Sequence, residues 1–419
     1  MIKQISTCRI CGNSKLVSIL HLGEQYLTGV FPKTINTAIT KGPLELVKCL
    51  PEGNEKVCGL VQLNHSYDLN EMYGDTYGYR SGLNQSMVKH LQKKVETIVN
   101  MVKLQKGDVV IDIGSNDATL LKAYSNKDID LYGVDPSAEK FKSFYTDNIK
   151  LITEFFPSNS LFKILGDKKA KIITSISMFY DLEEPLKFVK SVHEVIDDNG
   201  LWVFEQSYLP AMLKTNSYDT VCHEHLEYYT VKQIKWMMDK VGFNIIDIEL
   251  NSVNGGSFSV SVAKKESTVF KENSKLINQF LNQEIIDGFD KLETYNAFEK
   301  NVEKHKKSLL ELLINLKKEG KTILGYGAST KGNVMLQYSG ITSDLLPFIA
   351  EVNEDKFGAF TPGTLIPIIS ELDAKKMNPD YFIVMPWHFK NNFLAREKDY
   401  LKAGGKLIFP LPEIDIVSE

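Results

Sequence analysis

Beyond about residue 67 the chain alternates short apolar runs with stretches whose apolar positions recur at helical spacing. The runs Val109–Ile113, Leu131–Val134, Ile172–Ser177, Leu201–Phe204, Asn244–Ile248 and Phe258–Ala263 are bounded by turn residues and predict strands. Helical patterns between most of them predict βαβ units and a parallel sheet. Only Glu249–Gly256 separates the last two runs. That is too short for a parallel crossover, so this pair is expected to be antiparallel. A lysine- and glutamate-rich helical stretch, Ser267–Gly320, leads into a second alternation. Its strands are expected at Thr322–Gly325, Pro347–Ala350, Tyr381–Met385 and Lys406–Phe409, with helices near Lys331–Tyr338 and Phe389–Ala403. The expected fold class is α/β, with two doubly wound units, the second Rossmann-like, behind a loop-rich N-terminal segment. The boundaries read as 1–66, 67–264 and 265–419, in line with roughly 100–200 residues per domain.

Composition then narrows the function. The 49 basic and 53 acidic residues leave a formal net charge of −4, without the basic face of an electrostatic nucleic-acid binder. No apolar run reaches the ~18 residues of a membrane span, and Met1–Asn13 has no stretch of signal-peptide length. Neither a nucleic-acid nor a membrane partner is expected.

Four of the five cysteines, Cys8, Cys11, Cys49 and Cys58, fall near the start of the chain. Clustered thiols in a long chain without a secretion signal point to a metal in a reducing compartment rather than to disulfides. The cytoplasm is therefore the expected location. Cys8-Arg9-Ile10-Cys11-Gly12 is a CxxC knuckle, whereas Cys49 and Cys58 are spaced more widely than usual. Four thiolates would make a closed, structural zinc site, and in so small a unit the metal would supply much of the folding energy. Unrelated buried thiols are the alternative.

The stretch Val109-Val-Ile-Asp112-Ile-Gly114-Ser115-Asn116-Asp117 runs from a strand into a glycine turn, with a helix expected to start near Asn116. Gly114 lets a ligand approach the backbone, outside the carboxyl end of the strand. The stretch is not G-x-G-x-x-G, so a dinucleotide reading is weak. Gly133-Val-Asp135-Pro136 ends the next strand, where Asp135 is placed to accept ribose hydroxyls. Ser177 and Met178 end a later strand near the same ligand, and Asp112 would support the loop or a ligand ammonium. The two halves resemble the S-adenosylmethionine (SAM) site of class I methyltransferases, whose sheet also ends in an antiparallel hairpin. A generic turn followed by a surface aspartate is the bland alternative.

Two polar stretches have no comfortable structural explanation. Tyr73 to Gln85 carries Tyr77, Tyr79, Arg80, Ser81 and Asn84 just before the helix that leads into the first strand. Tyr218 to Tyr229 carries Cys222, His223, Glu224, His225 and Glu227 in the long insertion after Leu201–Phe204, again at the carboxyl edge. A loop so rich in His, Glu and Tyr suits proton transfer; a satisfied structural histidine is the alternative. His223-Glu224-His225 is not H-E-x-x-H and has no obvious third ligand. Further on, Gly325-Tyr-Gly327-Ala-Ser329-Thr330-Lys331 opens a helix whose amides suit phosphates. Glu351, after the next strand, mimics an NAD fingerprint, but Thr330 replaces the third glycine and Lys331 better suits a diphosphate. A Rossmann turn without a ligand stays open, and Trp387 could stack on a base or belong to the core.

CxxCG, YGYRSGLNQ, IDIGSND, CHEHLEYY, NGGSFSV and GYGASTKGN occur in this order. The set resembles the three-domain nucleotide-sugar C-methyltransferases, the tetronitrose C-3 methyltransferase type among them, over essentially the whole chain. The resemblance implies a zinc-binding N-terminal domain, a SAM-binding middle domain and a Rossmann-like C-terminal domain. It implies a nucleotide-linked 4-keto deoxysugar as substrate, held between the last two. His225 would be the base and Glu224 its partner. Tyr77 and Tyr79 would line the sugar site, joined by Arg80, Ser81 and Asn84, and Gly327, Ser329 and Lys331 would meet the diphosphate. A monomer is expected. The chain departs from the family pattern in having no histidine in Ser177-Met-Phe-Tyr180-Asp181, in Cys222, and in the spread second cysteine pair.

Carbon becomes a nucleophile only after a proton is removed. A 4-keto group acidifies the C3 hydrogen, so His225 would take that proton and a tyrosine hydroxyl or backbone amide would hold the enolate oxygen. The rival readings are an O- or N-methyltransferase with the same cofactor site, an NAD-dependent oxidoreductase using the C-terminal loop, and a non-enzymatic zinc scaffold.

Overall fold

The structure is a computed structural model and describes residues 2–53, 56–73 and 79–419. After a two-residue strand at Lys3–Gln4 that pairs with His65–Ser66, the N-terminal sheet contains β1 (Leu16–Tyr26), β2 (Lys41–Cys49) and β3 (Val61–Leu63), antiparallel neighbours in that order. Helix α1 (Gln85–Met101) follows, with Met87, Leu91, Val95 and Ile98 buried along one face.

The central unit contains β4 (Val109–Ile113), β5 (Asp130–Val134), β6 (Ile149–Ile152) and β7 (Ala170–Ile176). Helix α2 (Pro185–Val195) and β8 (Ile196–Ser207) come next. After them come a two-residue strand β9 (Glu227–Tyr228), helix α3 (Val231–Val241), β10 (Phe243–Asn251) and β11 (Ser257–Lys264). The seven-stranded sheet is ordered β10–β11–β8–β7–β4–β5–β6. Neighbours from β8 to β6 are parallel, and β11 runs antiparallel to both β8 and β10. Val110, Ile111, Ile173 and Trp202 are fully buried, as strands covered on both faces require. Strand order reverses at β4, so a ligand is expected outside its carboxyl end.

β9 does not join this sheet. Glu227 and Tyr228 pair with Gln62 and Val61 of β3, so the insertion supplies the fourth strand of the N-terminal sheet. That sheet packs against both neighbours. Cys8, Cys49 and Cys58 share a core with Phe179, Trp202 and Tyr229, while Leu44, Leu46 and Leu63 share one with Ile323 and Val384.

Helices α4 (Ser274–Ile286) and α5 (Leu292–Lys318) lead to the last unit. It contains β12 (Ile323–Tyr326), α6 (Thr330–Ser339), β13 (Ile349–Glu351), β14 (Ile368–Ser370), β15 (Tyr381–Val384), β16 (Lys406–Phe409) and β17 (Asp415–Val417). The order is β14–β13–β12–β15–β16–β17, with the last pair antiparallel and the others parallel. Among the described residues no helix is long and apolar enough to cross a membrane.

Three expectations need correction. No α-helix starts at Asn116: Asn116 and Ala118 take positive φ (48° and 61°), and a 3₁₀ turn forms at Leu121–Ala123 instead. The helix expected over Phe389–Ala403 is two, Lys390–Arg396 and Lys398–Lys402, divided at Glu397. That buried carboxylate receives Tyr326, Lys375 and Arg396. Strands β6, β14 and β17 escaped the sequence pattern because three or four residues carry too little periodicity.

Candidate active site

A cavity of about 480 Å³ opens where β4, β5 and β7 end, a size typical of small-molecule sites. Asp112, Gly114, Ser115, Asn116, Asp135, Pro136, Ser177 and Met178 line it, with Tyr79 and Ser81 on a further wall. Gly114 has φ +78°, and a Cβ there would stand 3.0 Å from Met178 Cγ, so the position needs glycine on both counts. Asp135 accepts the Asn116 N–H at 2.8 Å and the Ser137 N–H and Oγ–H at 2.7 Å each. A carboxylate has about four acceptor positions, so one is left for a ligand hydroxyl. Asp112 accepts Thr174 Oγ1–H at 2.6 Å. Burial pushes its pKa up to about 7; the Thr174 bond opposes the rise and the Asp135 charge adds to it. Ser177 holds φ +56°, the kind of backbone strain that collects at working sites.

The loop after β4 also holds the other wall. Asn116 Oδ1 accepts the Ser81 N–H at 2.9 Å, its Nδ2 donates to the Tyr79 carbonyl at 3.2 Å, and Asp117 accepts the Gly82 N–H at 2.9 Å. The Arg80 guanidinium reaches Asp117 at 3.9 Å and lies over the Phe144 ring. Two motifs expected to serve different ligands are thus knit together. Asp117, expected at the cofactor, does not line the cavity because it anchors Gly82 and Thr119. Ser81, expected at the sugar, does line it. Asn84 accepts the Ser86 N–H and caps α1. Tyr77 lies outside the described residues.

In the insertion, His225 Nδ1 donates to the Thr220 carbonyl at 2.8 Å, which fixes the tautomer and leaves Nε2 as an acceptor. Burial first, then the Lys331 charge, push its pKa down to about 3, against the Thr220 bond; the ring is neutral at pH 7. It is half-buried, edge-on to Tyr180 at 4.3 Å. The ring is not part of the cavity wall, but Tyr180 immediately precedes Asp181, which is. The Leu226 and Glu227 N–H groups both donate to the Tyr180 carbonyl, at 2.8 and 3.0 Å. Glu224 is not hydrogen-bonded to His225; the Thr220 carbonyl takes the place expected of it. The Glu224 carboxyl is buried with a raised pKa, Oε2 has no partner among the described residues, and a Cβ on Gly29 would stand 2.2 Å from Oε1. His223 is fully buried, edge-on to Tyr67, and burial pushes the Cys222 thiol up. Neither Thr220 nor Tyr180 stood out in the sequence, because a carbonyl and a turn leave no compositional signal.

Buried polar atoms without partners gather around this insertion: both amide atoms of Gln206, Asn216 Oδ1, Asp219 Oδ1, Glu224 Oε2 and Tyr229 OH.

On the C-terminal side the glycine loop satisfies itself. Gly327 has φ +85°, and a Cβ there would lie 2.7 Å from Pro386. Its N–H donates to Ala350, and the Ala328 N–H donates to Glu351 Oε2 at 2.8 Å. Glu351 also accepts the Val352 and Asn353 N–H groups. The carboxylate that mimicked an NAD fingerprint therefore braces the loop. Ser329 caps α6 by accepting the Gly332 N–H. Lys331 reaches across to donate to the Asn254 carbonyl at 2.7 Å. Trp387 Nε1–H donates to Asp219 at 2.8 Å, and the ring packs against Gly255, so it is held rather than free to stack. Of the residues expected at the diphosphate, Lys331 is the one whose charge acts on the insertion, at His225 and Asp219.

The four N-terminal cysteines converge. Their Sγ atoms all lie within 4.8 Å of one another, with Cys8–Cys58 at 3.4 Å and Cys11–Cys49 and Cys11–Cys58 at 3.5 Å. These separations are far too long for disulfides and near the ~3.8 Å between thiolates placed tetrahedrally at ~2.3 Å from a zinc ion. The donor set fits such an ion.

Three family models match the chain in sequence order. A "Putative zinc binding domain" covers residues 8–73, a methyltransferase domain 87–248, and a C-methyltransferase C-terminal domain 252–412. C-methyltransferase NovU of Streptomyces niveus is 27% identical over 421 residues, spanning 100% of this chain and 98% of the relative. Among solved structures, the plantazolicin methyltransferase BpumL is 12% identical over 44% of this chain and 87% of its own, with a TM-score of 0.36. YcgJ of Bacillus subtilis is 15% identical over 42% and 99%, at 0.33.

The central sheet and the matched domains define a SAM-dependent methyltransferase of class I fold. Over its whole length the chain is similar to C-methyltransferases that join such a domain to a zinc-binding N-terminal domain and a C-methyltransferase C-terminal domain.

Proposed function

We propose that the protein methylates C3 of a nucleotide-linked 4-keto deoxysugar, acting as a cytoplasmic monomer. In this reading residues 1–66 hold a structural zinc ion, 67–264 hold SAM, and 265–419 hold the nucleotide. The observation that carries the proposal is His225: a neutral ring with Nδ1 fixed by Thr220 and no hydrogen bond to Nε2 among the described residues, beside the Tyr180–Asp181 edge of the cavity. It also lies within reach of the Lys331 charge.

SAM, when bound, supplies the electrophilic methyl group. Gly114 gives it backbone access, Asp135 offers its remaining acceptor position to a ribose hydroxyl, and Asp112 faces an ammonium. His225 Nε2 takes the C3 proton of the sugar, and the Thr220 carbonyl steadies the imidazolium that forms. The ammonium of Lys331 opposes that charge; a diphosphate engaging Lys331 neutralises it and restores the basicity of the ring. Tyr79 stands on the cavity wall, where its hydroxyl can hold the enolate oxygen. The chain's main contribution is to hold both reactants in line. Zinc at Cys8, Cys11, Cys49 and Cys58 supplies folding energy.

Two outcomes are expected of this site. SAM affinity measured by calorimetry rises as pH increases through about 7, because the elevated Asp112 pKa means that binding an ammonium must first release its proton. Asp112→Asn flattens that profile; a flat wild-type profile would remove Asp112 from the role. Lys331→Met raises the KM for the sugar nucleotide by ~10–100-fold, the worth of a hydrogen bond to a charged group, with SAM affinity unchanged. The proposal as a whole is tested with a panel of nucleotide-linked 4-keto sugars and SAM, read by mass and by NMR of the methylated carbon. A new methyl on oxygen or nitrogen refutes it.

A further inference from the structure

Arg9 sits between two of the metal-site cysteines, yet its side chain is only 3% exposed. Its guanidinium donates to the Leu63 carbonyl at 2.6 Å and to Ser66 Oγ at 2.9 Å. Nε faces two carboxylates, Glu183 at 3.7 Å and Glu227 at 3.8 Å. Glu183 belongs to the cavity wall. Glu227 lies in β9, completely buried, with no hydrogen-bond partner on either oxygen among the described residues. The backbone of the same residue helps to hold the Tyr180 carbonyl, and Tyr180 packs on His225. One cation thus touches the metal knuckle, the cofactor cavity and the insertion.

We infer that Arg9 is a positioning residue that transmits occupancy of the metal site to both the cofactor cavity and the insertion. Removing the guanidinium would leave the buried Glu227 carboxyl without the cation it faces, a costly change in an interior; Glu183, 40% exposed, would lose less. A rigid knuckle fixes Arg9, and Arg9 fixes Glu227 and Glu183. Loss of the cation frees β9 from β3 and lets the Tyr180–Asp181 edge drift. A shift of about 1 Å in such an edge costs about 10²-fold in rate. The kinetic part of the inference rests on His225 as the base; the cofactor part does not.

The test uses Arg9→Met, Arg9→Lys and Glu227→Gln in the full chain. Arg9→Met is expected to keep its full metal content by atomic emission while kcat falls about 10²-fold. Its SAM dissociation constant should rise about tenfold, and amides 222–229 should exchange hydrogen faster. Arg9→Lys restores part of each loss. Adding Glu227→Gln to Arg9→Met makes nothing worse, because the two act through one contact. Unchanged amide exchange and SAM affinity in metal-replete Arg9→Met would overturn the inference, as would metal loss in proportion to the loss of activity. Should Arg9→Met not fold, Glu227→Gln alone decides: faster exchange over 222–229 with metal retained supports the inference, and unchanged exchange overturns it. A wild-type enzyme that never exchanges the sugar C3 hydrogen would defeat the His225 reading but leave the amide and SAM effects of Arg9 standing.

Discussion

Replacing His225 by alanine is expected to lower methyl transfer by about 10²–10⁴-fold, the usual worth of a positioned general base. SAM affinity should not change, because the ring does not line the cavity. Stability should fall by only about 1 kcal/mol, the net value of one hydrogen bond, since the variant gives up the ring's bond to the Thr220 carbonyl. This combination separates a chemical role from a packing role. A ring that merely filled space would leave turnover near normal. With SAM saturating, so that Asp112 does not intervene, kcat/KM for the sugar should show no protonation step of the ring near pH 6.5, since burial and Lys331 hold its pKa at about 3.

Removing a metal ligand should have an effect as large, by another route. Cys58→Ser, or a strong chelator, is expected to destabilise the protein by more than about 4 kcal/mol, as loss of a structural metal commonly does. It should also abolish turnover. Cys58 Sγ is fully buried among the other three thiols, and its carbonyl accepts Gln233 Nε2–H at the start of α3. The strand pairing of β9 with β3 then ties that unit to the loop bearing His225. Proteolysis should therefore open residues 218–229 together with the N-terminal segment. Denaturant melts with parallel metal analysis check this. A chelated protein that keeps both its midpoint and its activity would show that the cysteines do not work as a metal site.

Much of this fold was legible because strands covered on both faces are continuous apolar runs, and Val109–Ile113 and Ala170–Ile176 are of that kind. The antiparallel hairpin followed from the length of one loop, and the cysteine cluster from one knuckle. Short edge strands such as Asp415–Val417 carried too few residues to show a period. The loop after β4 misled for a physical reason. Asn116 and Asp117 look like the cap of a helix, but their side chains bind the Tyr79–Gly82 backbone, a long-range use that no local pattern reports. The pairing of Glu224 with His225 that the family resemblance implied is not seen either: the chain turns so that the Thr220 carbonyl meets the ring. Side chains that work near their own sequence position were readable; backbone groups and cross-domain partners such as Arg9 with Glu227 were not.

The most direct measurement is hydrogen exchange at the substrate carbon. A nucleotide-linked 4-keto sugar is incubated in deuterated water with enzyme and a SAM analogue that has no transferable methyl. Deuterium should enter at C3 with the wild-type protein and not with His225→Ala. Exchange that persists undiminished in the variant, or wild-type turnover that places a labelled methyl on oxygen without any exchange, would contradict the account.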